Sequence, residues 1–247
     1  MSAFRAKNTT VVGSDGCNAL QFGSETLGNF HDFIFSNISI TSAGKAGIGI
    51  VTMDGAHIYN IRYQDIRMEN TVSSIFLFIG GRLRRPPAGL STNDSLVGSI
   101  HDIMFANVHA THVAGYKKRR AANWTATIEG QPPDTGYGIT REHLVGPNCS
   151  FLNVSIKSAG GGQIDDVDIA PPHKSGSYPP RYLGTRPAYG MFVRHATGIS
   201  LSDVSVSWDV TDKRPPFILS DAHEVTFNRV KAQRASDLNY DIGVRDA

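Results

Sequence analysis

Residues 18–68, NALQFGSETLGNFHDFIFSNISITSAGKAGIGIVTMDGAHIYNIRYQDIRM, decide the fold. They carry one pattern twice, over 32–40 and 60–68: a polar residue, two alternating apolar positions, Asn or Asp, then two more alternating apolar positions. Apolar residues at every second position are typical of a strand with one buried face. Because the pattern returns after a few tens of residues, it indicates repeat units that bury their apolar faces only against their neighbours.

The same pattern occurs seven times along the chain. The residues at its Asn/Asp position are Asn8, Asn37, Asp65, Asn107, Asn153, Asp203 and Arg229, so the successive spacings are 29, 28, 42, 46, 50 and 26 residues. Three spacings are close to one length, and three contain an insertion. We interpret the extra lengths, 83–98, 111–147 and 160–190, as loops that leave the repeat, where binding surfaces are often built.

A repeat of about 25 to 29 residues with short strands and glycine-rich corners predicts an all-β fold, one coil of a parallel β-helix per repeat. The repeated Asn/Asp is then expected to form a ladder at a turn, because Asn tolerates the left-handed backbone conformation and its amide can bond along the stack. Leucine-rich and propeller repeats are weaker alternatives. No Leu-x-x-Leu-x-Leu frame recurs, and the spacing is too variable for blades of constant size.

Composition sets further limits on the 247-residue chain, which we expect to be a single domain over 1–247. The net charge of +2 is too mild to imply nucleic acid, and no apolar stretch is long enough for a transmembrane helix. The N-terminus has no signal-peptide pattern, so we expect an intracellular protein or a missing natural N-terminus. Cys17 and Cys149 lack metal-ligand spacing and are interpreted as two buried free thiols.

Six stretches, spread along nearly the whole chain, resemble one known family. They are GSETLGNFHDFIFSNISI, GKAGIGIVTMDGAHIYNIRYQDIRM, IFLFIGGR, VGSIHDIMFANV, RPAYGMFVRHATGISLSDVSV and DIGVRDA. They are similar to the later coils of the polygalacturonases, glycoside hydrolase family 28, which cleave pectic polysaccharides. The resemblance implies a right-handed, pectin lyase-like parallel β-helix truncated at its N-terminus. It also implies a secreted or cell-wall, monomeric, inverting glycosidase with a pectic or other acidic polysaccharide as partner, and no metal, organic cofactor, nucleic acid or membrane.

The family's catalytic motifs are not matched. Its Gly-His-Gly motif falls on 17–19, where Asn18 replaces the histidine, and its Arg-Ile-Lys motif falls on 49–51, where Gly49 and Val51 replace both cations. Its acidic motifs precede the histidine, where this chain offers only Asp15. Because inverting hydrolysis needs one protonated and one ionised carboxyl, the catalytic residues are unassigned and the chain alone is expected to be inactive. The alternative is an inactive carbohydrate-binding β-helix.

Five residues near the two family landmarks are candidate substrate ligands: Asn18, Glu25, Lys45, Asp54 and His57. Carboxylates could bond sugar hydroxyls, and Lys45 could pair with a uronate in place of the missing cations. We expect Asn18, Glu25, Lys45 and Asp54 to line a groove on one face. Each could instead be a turn or surface residue, and capping or packing explains His57 equally well.

Three other charged segments have two interpretations each. The Asp165–Asp166 pair could be catalytic, but it lies after the family landmark, and a solvated loop is the preferred interpretation. The basic runs 82–85 and 117–120 could bind an acidic glycan, nucleic acid or an import receptor. For both runs we prefer a solvated loop.

Overall fold

The computed structural model describes residues 4–14, 16–25, 27–82, 97–113, 125–133, 139–173, 176–178 and 183–246. These residues form an all-β structure with one short 3-10 helix, Ile164–Asp166. The strands are β1 (Phe4–Ser14), β2 (Leu20–Phe22), β3 (Phe30–Thr52), β4 (His57–Ile79), β5 (Ser99–Val113), β6 (Ala126–Glu129), β7 (Cys149–Gly160), β8 (Met191–Thr197), β9 (Ile199–Ser202), β10 (Ser205–Val210), β11 (Phe217–His223), β12 (Thr226–Asn228), β13 (Lys231–Ala232) and β14 (Ile242–Arg245).

All ladders between these strands are parallel, and they belong to one continuous curled sheet. The chain forms two stacks of strands within it. The first stack contains β1, the first halves of β3 and β4, then β5, β7, β9, β10, β12 and β13. The second stack contains β2, the second halves of β3 and β4, then β6, β8, β11 and β14.

The strand register of the first stack follows the repeat found in the sequence. Phe4 pairs with Phe33, Phe33 with Ile61, and Ile61 with Ile103. Further along, Phe105 pairs with Phe151, Cys149 with Ile199, and Thr226 with Ser200. Each pair is separated by the spacing between neighbouring copies of the pattern, so the predicted repeat units are confirmed.

The predicted Asn/Asp ladder is confirmed at four of its six steps among the described residues. All seven residues at the repeated position have a left-handed backbone, with φ between 51° and 56°. The Asn37 amide donates to Asn8 at 2.8 Å, Asn107 to Asp65 at 3.0 Å, and Asn153 to Asn107 at 2.9 Å. Arg229 also continues the ladder, because its guanidinium donates to the Asp203 carboxylate at 2.6 Å.

The core lies between the two stacks. Its columns of apolar side chains run from rung to rung, as in the row Ile48, Ile75, Ala126, Met191 and Phe217, each 2% exposed or less. In the first stack the rings of Phe35, Tyr63, Phe105 and Phe151 stack face to face, with centroids 4.8 to 5.3 Å apart. Aromatic pairs at such distances stabilise a core beyond the area that they bury.

The Tyr63 hydroxyl places an unsatisfied polar group inside this aromatic column. It is fully buried and finds no hydrogen-bond partner among the described residues, and burial raises its pKa strongly. Because a buried unsatisfied polar group costs about 1–3 kcal/mol, we expect Tyr63→Phe to stabilise the protein by about 1 kcal/mol. Urea denaturation measures this change, with Tyr59→Phe as the control on a half-buried ring of β4. A loss of stability in Tyr63→Phe would contradict the expectation.

Three sequence interpretations need correction. The segment 111–147 is not all loop, because β5 extends to Val113 and β6 supplies a rung of the second stack. Cys17 is exposed, whereas Cys149 is buried, and burial raises the pKa of the Cys149 thiol to about 12. Asp165–Asp166 lies in the 3-10 helix, where the Asp166 carboxylate accepts the Gln163 N–H at 2.9 Å, so Asp166 caps that helix. None of the described helices has the length and apolar character needed to cross a bilayer.

Candidate functional site

The second stack carries a row of polar side chains at the carboxyl ends of its strands. Asp54 follows β3 and Arg82 follows β4, while further along the stack Glu129 ends β6 and His195 and Asp221 lie late in β8 and β11. Carboxyl ends of parallel strands meet at one edge, and neighbouring rungs are about 4.8 Å apart. Residues distant in sequence are therefore brought together along this edge, in two groups that we call the Arg82 cluster and the His195 cluster.

The Arg82 cluster contains Glu25, Lys45, Asp54, Arg82 and Tyr178. Arg82 donates to the buried Asp54 carboxylate from Nε at 2.8 Å and from Nη2 at 2.6 Å. Its Nη1 lies 3.6 Å from Glu25, whose side chain is 85% exposed. The hydrogen bonds from Arg82 to Asp54 raise the pKa of the guanidinium.

Lys45 joins the cluster through Tyr178. The Lys45 ammonium donates to the Tyr178 hydroxyl at 3.1 Å and lies 4.6 Å from the centre of its ring. Although burial acts in the opposite direction, hydrogen bonds from Lys45 and Ser24 lower the pKa of Tyr178. Tyr178 also acts electrostatically on Arg82, though less than Asp54 and Glu25 do.

Asn18 supports the cluster from inside the fold. It is 5% exposed, its Oδ1 accepts the Ala46 N–H at 2.8 Å, and its amide donates to Gln21 at 3.2 Å. A Cβ on Gly49 would lie 2.2 Å from the Asn18 amide nitrogen. Asn18 and Gly49 thus fit each other, because the missing side chain at Gly49 leaves the space that Asn18 fills.

The structure therefore brings Glu25 and Asp54 together on Arg82, while Lys45 contacts Tyr178 and Asn18 binds the backbone of Ala46, next to Lys45. Glu25 is exposed and Lys45 half-buried, while Asn18 and Asp54 are buried. His57 contacts different residues, since its N–H donates to Asn29 at 3.0 Å and its ring bonds to Ser99 at 2.8 Å. The face beside the cluster is not an open groove throughout, because Val51, Phe76, Phe78 and Leu183 form a buried apolar group against which Tyr178 packs.

Glu129 anchors the second group from a fully buried position. Its carboxylate accepts from Arg186 at 3.1 Å and from Arg194, and both guanidiniums are almost entirely buried. Burial alone would raise the Glu129 pKa, but the charges of Arg186 and Arg194 outweigh it and lower the pKa. Burial lowers the pKa of Arg186 to about 10.

The His195 cluster is built on this anchor. His173 Nδ1 lies 3.6 Å from Glu129, and its Nε2 is 2.9 Å from Nε2 of His195. The other nitrogen of His195, Nδ1, is hydrogen-bonded to Asp221 and lies 3.4 Å from Glu142. Through His173 and His195, a chain of contacts thus connects the fully buried Glu129 carboxylate with the partly exposed carboxyl groups of Asp221 and Glu142.

Burial, hydrogen bonds and neighbouring charges shift the pKa values of these groups in different directions. Burial lowers the pKa of His173 to about 4, with Arg194 adding to the effect, and burial also lowers the pKa of His195. The hydrogen bond with Asp221, together with burial, raises the pKa of Glu142 to about 7. The same bond lowers the pKa of Asp221.

Sequence reasoning missed the residues that complete both groups. Arg82 was assigned to a solvated basic run, but its side chain is only 27% exposed and is bound to Asp54. The rest of the run 82–85, the run 117–120 and Asp15 lie outside the described residues. Spacing could have revealed the pairs, because Asp54 and Arg82 are 28 residues apart and His195 and Asp221 are 26 apart. Both values are repeat spacings of this chain.

No protein-family model, curated protein or solved structure matches the chain. The likeness to polygalacturonases therefore rests on the sequence motifs, and the function must be argued from the side chains themselves.

Proposed function

We propose that the protein is a right-handed parallel β-helix of polygalacturonase-like glycoside hydrolase lineage, and that it binds acidic pectic polysaccharide at the Arg82 cluster. The observation that carries the proposal is the presence of two cations in the Arg82 cluster, Lys45 bonded to Tyr178 and Arg82 bonded to Asp54. Two parallel stacks built from one recurring unit support the β-helix part of the proposal.

A uronate carboxylate can enter this cluster at little cost. Lys45 has three donors and gives one to Tyr178, so other N–H groups can reach a ligand. Glu25 is held to Arg82 only by an exposed contact of 3.6 Å, the kind of ion pair that contributes about 1 kcal/mol or less. If a uronate displaces Glu25, Lys45 and Arg82 face the buried Asp54 and the incoming carboxylate, and the four charges balance.

Binding, and not hydrolysis, is the activity that we assign to this chain. Both oxygens of the Asp54 carboxylate accept hydrogen bonds from Arg82, whereas a general acid must present a proton to the leaving oxygen. Release of reducing ends from polygalacturonate by this chain would favour the hydrolase and contradict this assignment.

Two substitutions should change binding in opposite directions. We expect Lys45→Ala to weaken binding of an acidic galacturonate oligosaccharide by about tenfold or more, because a charge-assisted bond contributes about 1.5–3 kcal/mol. Glu25→Gln should strengthen it, because the competing carboxylate is removed from Arg82. Titration calorimetry at low salt measures both changes, and a neutral oligosaccharide of the same length should respond to neither.

Lys213→Ala is the matched control, since Lys213 also forms a partly exposed ion pair, with Asp237 at 3.3 Å, outside the Arg82 cluster. Equal losses for Lys45→Ala and Lys213→Ala would mean that only general surface charge matters. Unchanged affinity in both Lys45→Ala and Glu25→Gln would remove the Arg82 cluster as the binding site.

A further inference from the structure

Three potential metal ligands converge in the His195 cluster. Nδ1 of His195 and one carboxylate oxygen each from Glu142 and Asp221 lie within 4.8 Å of one another. The side chains of Glu142 and Asp221 are 36% and 24% exposed, so an ion can reach them from solvent. His195 is only 11% exposed and is fixed from behind by His173.

The chain of contacts behind His195 determines where its hydrogen belongs. A carboxylate only accepts, so Nδ1 of His173, which faces Glu129, is best placed to carry the hydrogen of a neutral ring. Nε2 of His173 then accepts from Nε2 of His195. A neutral His195 so bonded presents the lone pair of Nδ1 to the carboxyl groups of Glu142 and Asp221, which share a hydrogen bond with each other. A cation bound among the three takes up this lone pair and releases the hydrogen that the two carboxyl groups share.

We propose that Glu142, His195 and Asp221 bind a divalent transition-metal ion, with Zn²⁺ as the best-fitting example. Zinc takes imidazole nitrogen and carboxylate oxygen at about 2.0–2.2 Å, so its tetrahedral ligands are about 3.3 Å apart. The separation of 3.4 Å between His195 Nδ1 and Glu142 Oε1 already has this size. The metal lies among Nδ1 of His195 and the carboxylates of Asp221 and Glu142, and water completes its coordination.

The residues around the ligands resemble the outer shell of metal sites. A metal-bound histidine usually donates its other N–H to a fixed acceptor, which is the role of His173 here. The second oxygen of Asp221 is held by His223 at 3.2 Å. The mixed nitrogen and oxygen set favours a transition metal over Ca²⁺, which prefers oxygen ligands alone.

A second histidine between two carboxylates provides a comparison within the same chain. His112 lies 3.5 Å from Glu69 and 3.9 Å from Asp209, but through opposite ring nitrogens, so the three cannot converge on one ion. Lys157 already neutralises Asp209. We therefore assign no metal to this group, and Glu69→Gln serves as the matched control.

Titration calorimetry of the chelator-treated full chain with ZnCl₂ tests the proposal, with MnCl₂ and CaCl₂ for comparison. We expect one Zn²⁺ per chain and weaker Ca²⁺ binding. Glu142→Gln, a partly exposed isosteric change, should weaken Zn²⁺ binding by about tenfold or more, since even outer-shell changes cost that much. Asp221→Asn should do the same, whereas Glu69→Gln should not.

Circular dichroism of each variant shows whether it is folded before titration. Absence of Zn²⁺ binding by the folded wild-type chain would overturn the proposal. Equal loss of affinity in Glu142→Gln and Glu69→Gln would also overturn it, because the ion would then bind non-specifically to histidines and carboxylates of the surface. The outcome does not depend on whether the Arg82 cluster binds a glycan.

Discussion

Glu129→Ala is expected to destabilise the protein by about 3–5 kcal/mol, because it leaves the buried Arg186 and Arg194 guanidiniums without their shared carboxylate. In a chain of this length such a loss lowers the melting temperature by on the order of 10 °C. Thermal and urea denaturation measure it. Glu25→Gln, which removes an exposed carboxylate from Arg82, is the control and should change stability by less than about 1 kcal/mol.

The acid dependence of stability provides a second measurement of the same site. The Glu129 pKa is lower in the folded protein than in the unfolded chain, so the carboxylate stabilises the fold above its unfolded pKa of about 4.3. That stabilisation is lost as the pH falls below 4.3 through the folded pKa. Glu129→Gln should therefore show a shallower decline of stability between about pH 5 and pH 2 than the wild type. Parallel pH profiles would show that the two arginines do not hold Glu129 ionised.

Phe105→Ala is the second substitution with a large expected effect. Phe105 is fully buried between Tyr63 at 5.3 Å and Phe151 at 4.8 Å, in the middle of the aromatic column. Truncating a buried phenylalanine leaves a cavity and typically costs about 3–5 kcal/mol. Each rung packs mainly against its neighbours, so the gap would weaken the contacts on both sides of β5 at once.

Phe4→Ala is the matched control for this prediction. Phe4 also packs on a phenylalanine, Phe33 at 5.1 Å, but it lies in the edge strand β1 and is 59% exposed. Its loss should cost about 1 kcal/mol or less, since little apolar area is removed from the core. Similar denaturation midpoints for Phe4→Ala and Phe105→Ala would mean that the column does not hold the rungs together.

The sequence was sufficient to predict the first stack, because its signals are local. Alternating apolar residues mark the buried face, and Asn or Asp at the turn, as at Asn37 and Asp65, fixes the register. The second stack lacks such a marker. The four residues Ala126–Glu129 end in a buried charge, and only the strands on either side, β4 and β8, show that they form a rung.

The candidate site was predictable only in part for a related reason. Glu25, Lys45 and Asp54 lie in the stretches that resemble polygalacturonases, whereas Arg82 and Tyr178 reach the same cluster from a basic run and a segment interpreted as loops. In the His195 cluster, His195 lies in β8 and Asp221 in β11. Glu142 and His173 belong to connections between strands. No short motif contains them, since stacking and not sequence proximity makes them neighbours.

The register of this protein has a consequence for how much the connections between its strands can vary. The offset from β3 to β4 is 28 residues and the offset from β4 to β5 is 42, yet Phe33, Ile61 and Ile103 stay in one column. The 14 additional residues lie between β4 and β5 in the sequence, and the ladder between these two strands keeps one register. The length of a connection and the alignment of the strands are thus independent, so connections between rungs can differ in length while the ladder fixes the spacing within each rung.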